Sequence, residues 1–158
     1  MRLTAVAESL DWLTVDADSQ KSHKKLGSLA SWFLVVDISF IVYWLVSALH
    51  LIPQAWAFKD YTNPIVRAWN WSFLPLDLMI SFTGITSVLL ARRADRRWMA
   101  AALISLTLTF ASGLLALSFW ALRSEFDISW WTPNLVLMIY PLFYFRRVIH
   151  QLTEVSDQ

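Results

Sequence analysis

The 158 residues include no cysteine, only three glycines and only three histidines. Without cysteine there can be no disulfide framework, thiolate metal site, covalent haem attachment or cysteine nucleophile. Gly27, Gly84 and Gly113 lie too far apart for a phosphate-cradling loop. His23 and His150 fall in polar tails and His50 at the end of an apolar run, so no pair can clamp a haem or share a metal. No Ser, His and Asp set meets at one depth either. Charge is scarce as well, at 16% of residues against about 25% in soluble domains. With 13 Lys plus Arg and 12 Asp plus Glu the net charge is +1, which gives no field to attract nucleic acid or an acidic substrate. No catalytic residue, metal, cofactor or nucleic-acid partner is assigned on these grounds, and no internal repeat is visible.

What the chain has is long apolar runs, in a composition that is 57% hydrophobic. Residues 1–28 form a polar segment with Glu8, Asp11, Asp16, Asp18, Lys21, Lys24 and Lys25, unlike a cleaved signal peptide. Within it Leu3, Val6, Leu10 and Leu13, with Trp12 beside them, have the spacing of a short amphipathic helix on a membrane surface. Four runs follow, at about 29–52, 71–91, 98–122 and 130–145, and about 20 residues suffice to cross the hydrocarbon core. The fold predicted is an all-α membrane protein, a four-transmembrane-helix bundle over residues 29–149, with a cytoplasmic tail at 150–158. Pro75 and Pro141 lie inside predicted spans and are expected to kink them.

Charge placement sets the expected orientation. Arg2, Lys21, Lys24, Lys25, Arg92, Arg93, Arg96, Arg97, Arg146 and Arg147 fall on one side of a four-span chain, and Lys59, Arg67 and Arg123 on the other. Ten cations against three place both termini in the cytoplasm under the positive-inside rule. The outer loops, 53–70 and 123–129, are instead rich in aromatics: Trp56, Phe58, Tyr61, Trp69, Trp71, Trp120, Trp130 and Trp131 lie in or beside them. They read either as an interfacial belt or as the lining of an outward-opening cavity.

Two acids, Asp37 and Asp77, lie inside predicted spans, where a carboxylate costs about 2.5–3.5 kcal/mol unless other groups offset it. A rise of about 1.5 Å per residue puts Asp37 about 12 Å in from the cytoplasmic end, level with Thr83, Ser105 and Tyr140. The same rise puts Asp77 about 22 Å in, level with Ser47, Ser112 and Asn134, with Arg67, Arg123 or His50 as cations within reach. Steps of three and four gather Asp37, Trp44 and Ser47 on one face of the first helix, and Asp77, Ser81 and Gly84 on one face of the second. The candidate intramembrane polar site is therefore Asp37, Asp77, Trp44, Ser47, Ser81, Ser105, Ser112, Asn134, Tyr140 and His50. The acids stand too far apart to share a proton, which suits a relay or two independent sites. Ala101, Ser105, Thr109 and Gly113 make a small-residue ridge for close helix packing, within the chain or against a partner.

The strings Asp37-Ile38-Ser39-Phe40-Ile41-Val42-Tyr43-Trp44, Leu51-Ile52-Pro53, Phe58-Lys59-Asp60-Tyr61-Thr62-Asn63-Pro64 and Trp69 to Leu78 together resemble the YvaD-like family of small bacterial membrane proteins. That resemblance implies a multi-pass protein of the bacterial inner (cytoplasmic) membrane and no catalytic residue. A patchier likeness to the emopamil-binding-protein group rests on His50-Leu51-Ile52-Pro53, Lys59-Asp60 and Trp71-Ser72-Phe73 before Asp77, which stands where that group has a glutamate. The function expected is a non-enzymatic accessory subunit or a lipophilic small-ligand binder. Its partners would be the lipid bilayer and a further membrane protein or a second copy of itself. One alternative is a proton-coupled small transporter in which Asp37 binds proton and substrate in turn. Another is a lipid- or sterol-like-ligand binding protein or isomerase, with Asp77 and the outer aromatics around the ligand.

Overall fold

A computed structural model describes residues 26–53 and 58–156. Most of the N-terminal segment, with its expected amphipathic stretch, and Trp56 lie outside the described residues. The described chain is helical, without a strand: α1 Ser28–Ala48, α2 Pro64–Trp71, α3 Leu74–Arg92, α4 Trp98–Leu122 and α5 Ile128–Ser156. Helix α1, the run from α2 through α3, and α4 are each long and apolar enough to cross a membrane. Helix α5 is 29 residues long, but Trp130, Trp131, Pro133, Asn134 and Pro141 interrupt its apolar stretch and it falls short of the other three.

Three of these helices end in the same way. After α1, the His50 N–H bonds the Ser47 carbonyl at 3.1 Å and the Leu51 N–H bonds Val46 at 3.0 Å. After α3, Ala94 bonds Ala91 and Asp95 bonds Leu90; after α4, Ser124 bonds Ala121 and Glu125 bonds Trp120. This paired pattern is the Schellman motif, whose pivot residue must adopt a left-handed backbone and is usually glycine. Here the pivots are His50, Ala94 and Ser124, at φ 55°, 53° and 56°. Helix α1 therefore stops at Ala48, four residues short of the expected Ile52, because the chain turns at His50 before its apolar run is exhausted.

Three further boundaries differ from expectation. The loop expected over residues 53–70 contains α2, which starts where the Asn63 side chain accepts hydrogen bonds from the Ile65 and Val66 amides, with Pro64 as first helical residue. An asparagine cap followed by proline is a favourable helix start. Pro75 falls in the first turn of α3, where its missing N–H is harmless, so it is not an interior kink. Helix α5 runs on past Arg146-Arg147 to Ser156, because Val148 and Leu152 pack on the cluster of Leu26, Leu29 and Phe33.

Helix α1 packs on α3, α3 on α4 and α4 on α5. Gly113 sets the last contact: a Cβ there would stand 2.6 Å from the Asn134 carbonyl oxygen and 2.7 Å from the Met138 nitrogen. At Gly113 the neighbour of the small-residue ridge is thus α5 of the same chain, and at Ser105 it is α3, whose Ile80 carbonyl accepts from the Ser105 hydroxyl. Helices α1 and α5 meet through side chains rather than closely packed backbones. Ser28 and Tyr144 share a 2.8 Å hydrogen bond, and Trp32 stacks on Tyr140 with ring centroids 5.0 Å apart. Both contacts lie at the end of the bundle where the described chain begins and ends. Toward the other end, referred to below as distal, the two helices leave a gap.

A left-handed backbone costs an ordinary residue about 1–2 kcal/mol, while glycine adopts it freely at some cost in unfolded-chain entropy. His50→Gly, Ala94→Gly and Ser124→Gly should each stabilise the protein, by up to about 1 kcal/mol, as read from thermal unfolding in detergent. A lowered melting temperature in all three would contradict the helix endings described. Asp127 starts α5, its carboxylate accepting hydrogen bonds from the Ser129 hydroxyl and amide. The hydroxyl first and the amide second hold its pKa below the usual carboxylate value. The cap is therefore at full strength above that usual value and is lost as pH falls through the lowered one. Asp127→Asn should flatten that part of the acid limb of stability, whereas an unchanged acid limb would rule the cap out as its source.

Candidate functional site

Asp77 is placed in the first turn of α3, where the helix N-terminus favours a negative charge. It is 4% exposed, and both its oxygens are bonded: Oδ2 accepts from the Trp44 indole N–H of α1 at 2.9 Å, and Oδ1 from the Ser112 hydroxyl of α4 at 3.2 Å. One carboxylate thus ties three helices together. The expected pairing with Ser112 is present. Trp44 takes the place foreseen for Ser47, which lies one turn further along α1 and makes no bond to Asp77.

Among the described residues no cation forms an ion pair with Asp77. Arg123 pairs instead with Asp60 and with Glu125 at 3.5 Å, and its guanidinium lies over the rings of Phe119 and Trp120 at 5.6 and 6.0 Å. Lys59 joins Glu125 at 3.0 Å. These ion pairs bind the segment after α1 to the turn between α4 and α5. Arg67 is exposed. His50 is exposed too, and serves as the turning residue after α1 rather than as part of a polar site.

Between α1 and α5 lies a cavity of about 370 Å³. Its length runs from Trp32 along α1 to Trp44, and its distal end is roofed by Phe58, Trp69, Trp120 and Trp130. Phe58 is buried among these rings, with centroids 6.1 Å from Trp120 and 5.7 Å from Trp130. Trp69 stacks on Phe119 at 3.7 Å. Asp77, Ser112 and Asn134 from the expected site line the cavity, together with Tyr43 and Asn70, whose hydroxyl and side-chain carbonyl bond at 3.0 Å. Tyr43 and Asn70 were not foreseen. Each is a single polar residue among apolar neighbours, and only the fold brings the two together. The mouth is flanked by Val35 and Val136, 61% and 40% exposed, so it opens on the apolar flank of the bundle.

Asp37 lies elsewhere. It is 0% exposed, does not line the cavity, and neither of its oxygens has a hydrogen-bond partner among the described residues. Its carboxyl rests on Gly84 of α3, where any Cβ would collide with it. None of the expected neighbours, Thr83, Ser105 and Tyr140, makes a hydrogen bond to its carboxyl. The Ser81 hydroxyl donates to the Asp37 backbone carbonyl at 3.4 Å, Ser105 donates to Ile80 at 3.3 Å, and Thr83 bonds within its own helix. The Tyr140 hydroxyl, close to Thr109 and Asp37, is buried without a hydrogen bond. The two acids therefore occupy separate environments, one open to a cavity and one sealed between helices.

Residues 29–155 match the model of a family described as "Family of unknown function (DUF5360)". Over 120 residues the chain is 52% identical to the protein described as "Uncharacterized protein YvaD" of Bacillus subtilis (strain 168), covering 76% of this chain and 90% of that protein. No solved structure matches. The chain belongs to the DUF5360 family, and the YvaD-like resemblance extends well beyond the strings that first carried it. Neither finding carries the likeness to the emopamil-binding group.

Overpacking a tight interior contact costs about 1–3 kcal/mol, so Gly84→Ala should destabilise the protein by that amount. Combined with Asp37→Ala, which removes the colliding carboxyl, most of that loss should be recovered. A double-mutant cycle on thermal unfolding reads the coupling. Strictly additive losses would mean that Gly84 and Asp37 do not meet.

Proposed function

We propose that this DUF5360 member is a non-enzymatic protein of the bacterial cytoplasmic membrane that takes a lipophilic small molecule from the bilayer into the cavity between α1 and α5. The cavity carries this reading. Its volume of about 370 Å³ falls in the range of small-molecule sites, about 300–1,000 Å³, and such sites are mostly apolar with a few convergent polar groups. Asp77, Ser112, Tyr43, Asn70 and Asn134 are those groups. The mouth between Val35 and Val136 would face acyl chains, so a hydrophobic ligand need not pass through water.

In this reading α5 is the fourth span, held along α4 at Gly113, and the distal end is the outer one. The described cations support that orientation, since Arg92, Arg93, Arg96, Arg97, Arg146 and Arg147 belong to the end where the described chain begins and ends, and only Lys59, Arg67 and Arg123 to the other. Residues lining the cavity include no histidine and no second acid to work with Asp77, which favours binding over chemistry. Transport coupled to Asp37 is less favoured, because that acid stands apart from the cavity.

Short bromoalkanes quench tryptophan fluorescence on contact, and Trp32, Trp44, Trp69, Trp120 and Trp130 all line the cavity. With the protein in lipid nanodiscs, 1-bromodecane should give a saturable quenching component. Ala116→Phe, which places a ring inside the cavity, should abolish that component while leaving the non-saturable quenching by bulk membrane. Quenching that stays linear with bromoalkane and equal in both proteins would overturn the proposal.

A further inference from the structure

Resting on the ligand-binding reading above, we infer that the cavity selects an amphipathic monocation, an alkyl chain or ring system carrying one ammonium group and no adjacent anion. The inference follows from the charge of the walls. Of the twenty described residues that line the cavity, Asp77 is the only acid, and none is Lys, Arg or His. A carboxylate within apolar surroundings normally has a cation beside it. Here the nearby candidate, Arg123, is committed to Asp60 and Glu125. What holds Asp77 are two neutral donors, the Trp44 indole and the Ser112 hydroxyl, one on each oxygen. Accepting a hydrogen bond at both oxygens is the pattern of the ionised group, whose remaining lone pairs can still accept. Its negative charge is thus positioned by hydrogen bonds but not neutralised.

The surrounding rings reinforce this. Trp44, Trp69, Trp120, Trp130, Tyr43 and Phe58 present π-faces and edges to the same space. Aromatic faces attract a cation, most strongly when water is excluded, and a box of rings around one carboxylate suits an ammonium group. An anionic headgroup would meet Asp77 with no cation in the lining to answer it. The phosphate of a zwitterionic lipid would meet the same repulsion. The apolar mouth at Val35 and Val136 accounts for the rest of the ligand, whose chain lies toward the bilayer while its ammonium reaches Asp77.

The test uses four ω-bromoalkyl probes of one chain length in nanodiscs containing the full-length protein. They end in trimethylammonium, its uncharged tert-butyl isostere, sulfate and phosphocholine, and each is read by saturable tryptophan quenching. The trimethylammonium probe should bind at least tenfold more tightly than the other three. Asp77→Asn, which keeps an oxygen to accept from Trp44, should remove that advantage without weakening the tert-butyl probe, and Asp77→Glu should retain much of it. If the cation and its neutral isostere bind equally to the unaltered protein, the charge selection is wrong while the lipophile site stands. A phosphocholine probe that binds as well as trimethylammonium would make the ligand a lipid headgroup and overturn the monocation. Saturable binding by none of the four would remove the site and this inference together. Because the charge series is read on the unaltered protein, it decides the question even if a variant fails to fold.

Discussion

The bundle is organised by one buried carboxylate, Asp77, that accepts from Trp44 on α1 and Ser112 on α4 while standing in the first turn of α3. A buried carboxylate is stabilised where donors converge on it, so three helices are held in one arrangement at the distal end. The fourth side is not held in this way. Helix α5 packs tightly on α4, where Gly113 allows backbone contact, and α1 packs on α3. Between α1 and α5 the contacts are made by side chains and gather at the other end, with Tyr43 and Trp130 meeting at 6.3 Å near the distal one. The cavity is the space left by this asymmetry, and the group that creates the asymmetry also forms its polar wall.

Asp37 shows how differently a second acid can be housed forty residues away. Asp77 has both oxygens bonded and faces a cavity, whereas Asp37 has neither bonded and is covered completely. Its accommodation depends on the missing side chain of Gly84. No donor meets its carboxyl among the described residues, so space rather than hydrogen bonding accommodates it. The sealed end of the bundle is therefore built around an acid that needs no partner, and the open end around one that still has lone pairs to offer. On the proposed reading this division puts ligand recognition at the distal, aromatic end and packing at the other.

Much of the architecture could be read from residue patterns alone. Long apolar runs mark the helices long and apolar enough to cross a membrane, because the bilayer core excludes charge over a set length and that requirement is local in sequence. The charge-free stretch 98–122 coincides with α4, and the depth of Asp77 matched that of Ser112 because helical rise is nearly constant. Helix ends were harder to read. Endings that glycine would ordinarily mark are made here by His50, Ala94 and Ser124, residue types that carry no such signal. The signal for α2 was present in Asn63-Pro64 and was outweighed by the aromatic and polar character of the surrounding loop.

Periodicity and composition determined that this chain is helical and apolar enough for a membrane, and which faces are polar, because hydrophobic length and helical spacing are properties of a segment. They could not tell a tryptophan that lines a cavity from one that merely sits at an interface. Trp44, Trp69, Trp120 and Trp130 come from four helices, and Asp77 of α3 reaches one donor on α1 and one on α4. Which of them share a space depends on how closely each helix pair can approach. That was settled at Gly84 and Gly113, where a missing Cβ brings two elements together, and between α1 and α5, where the backbones stay apart.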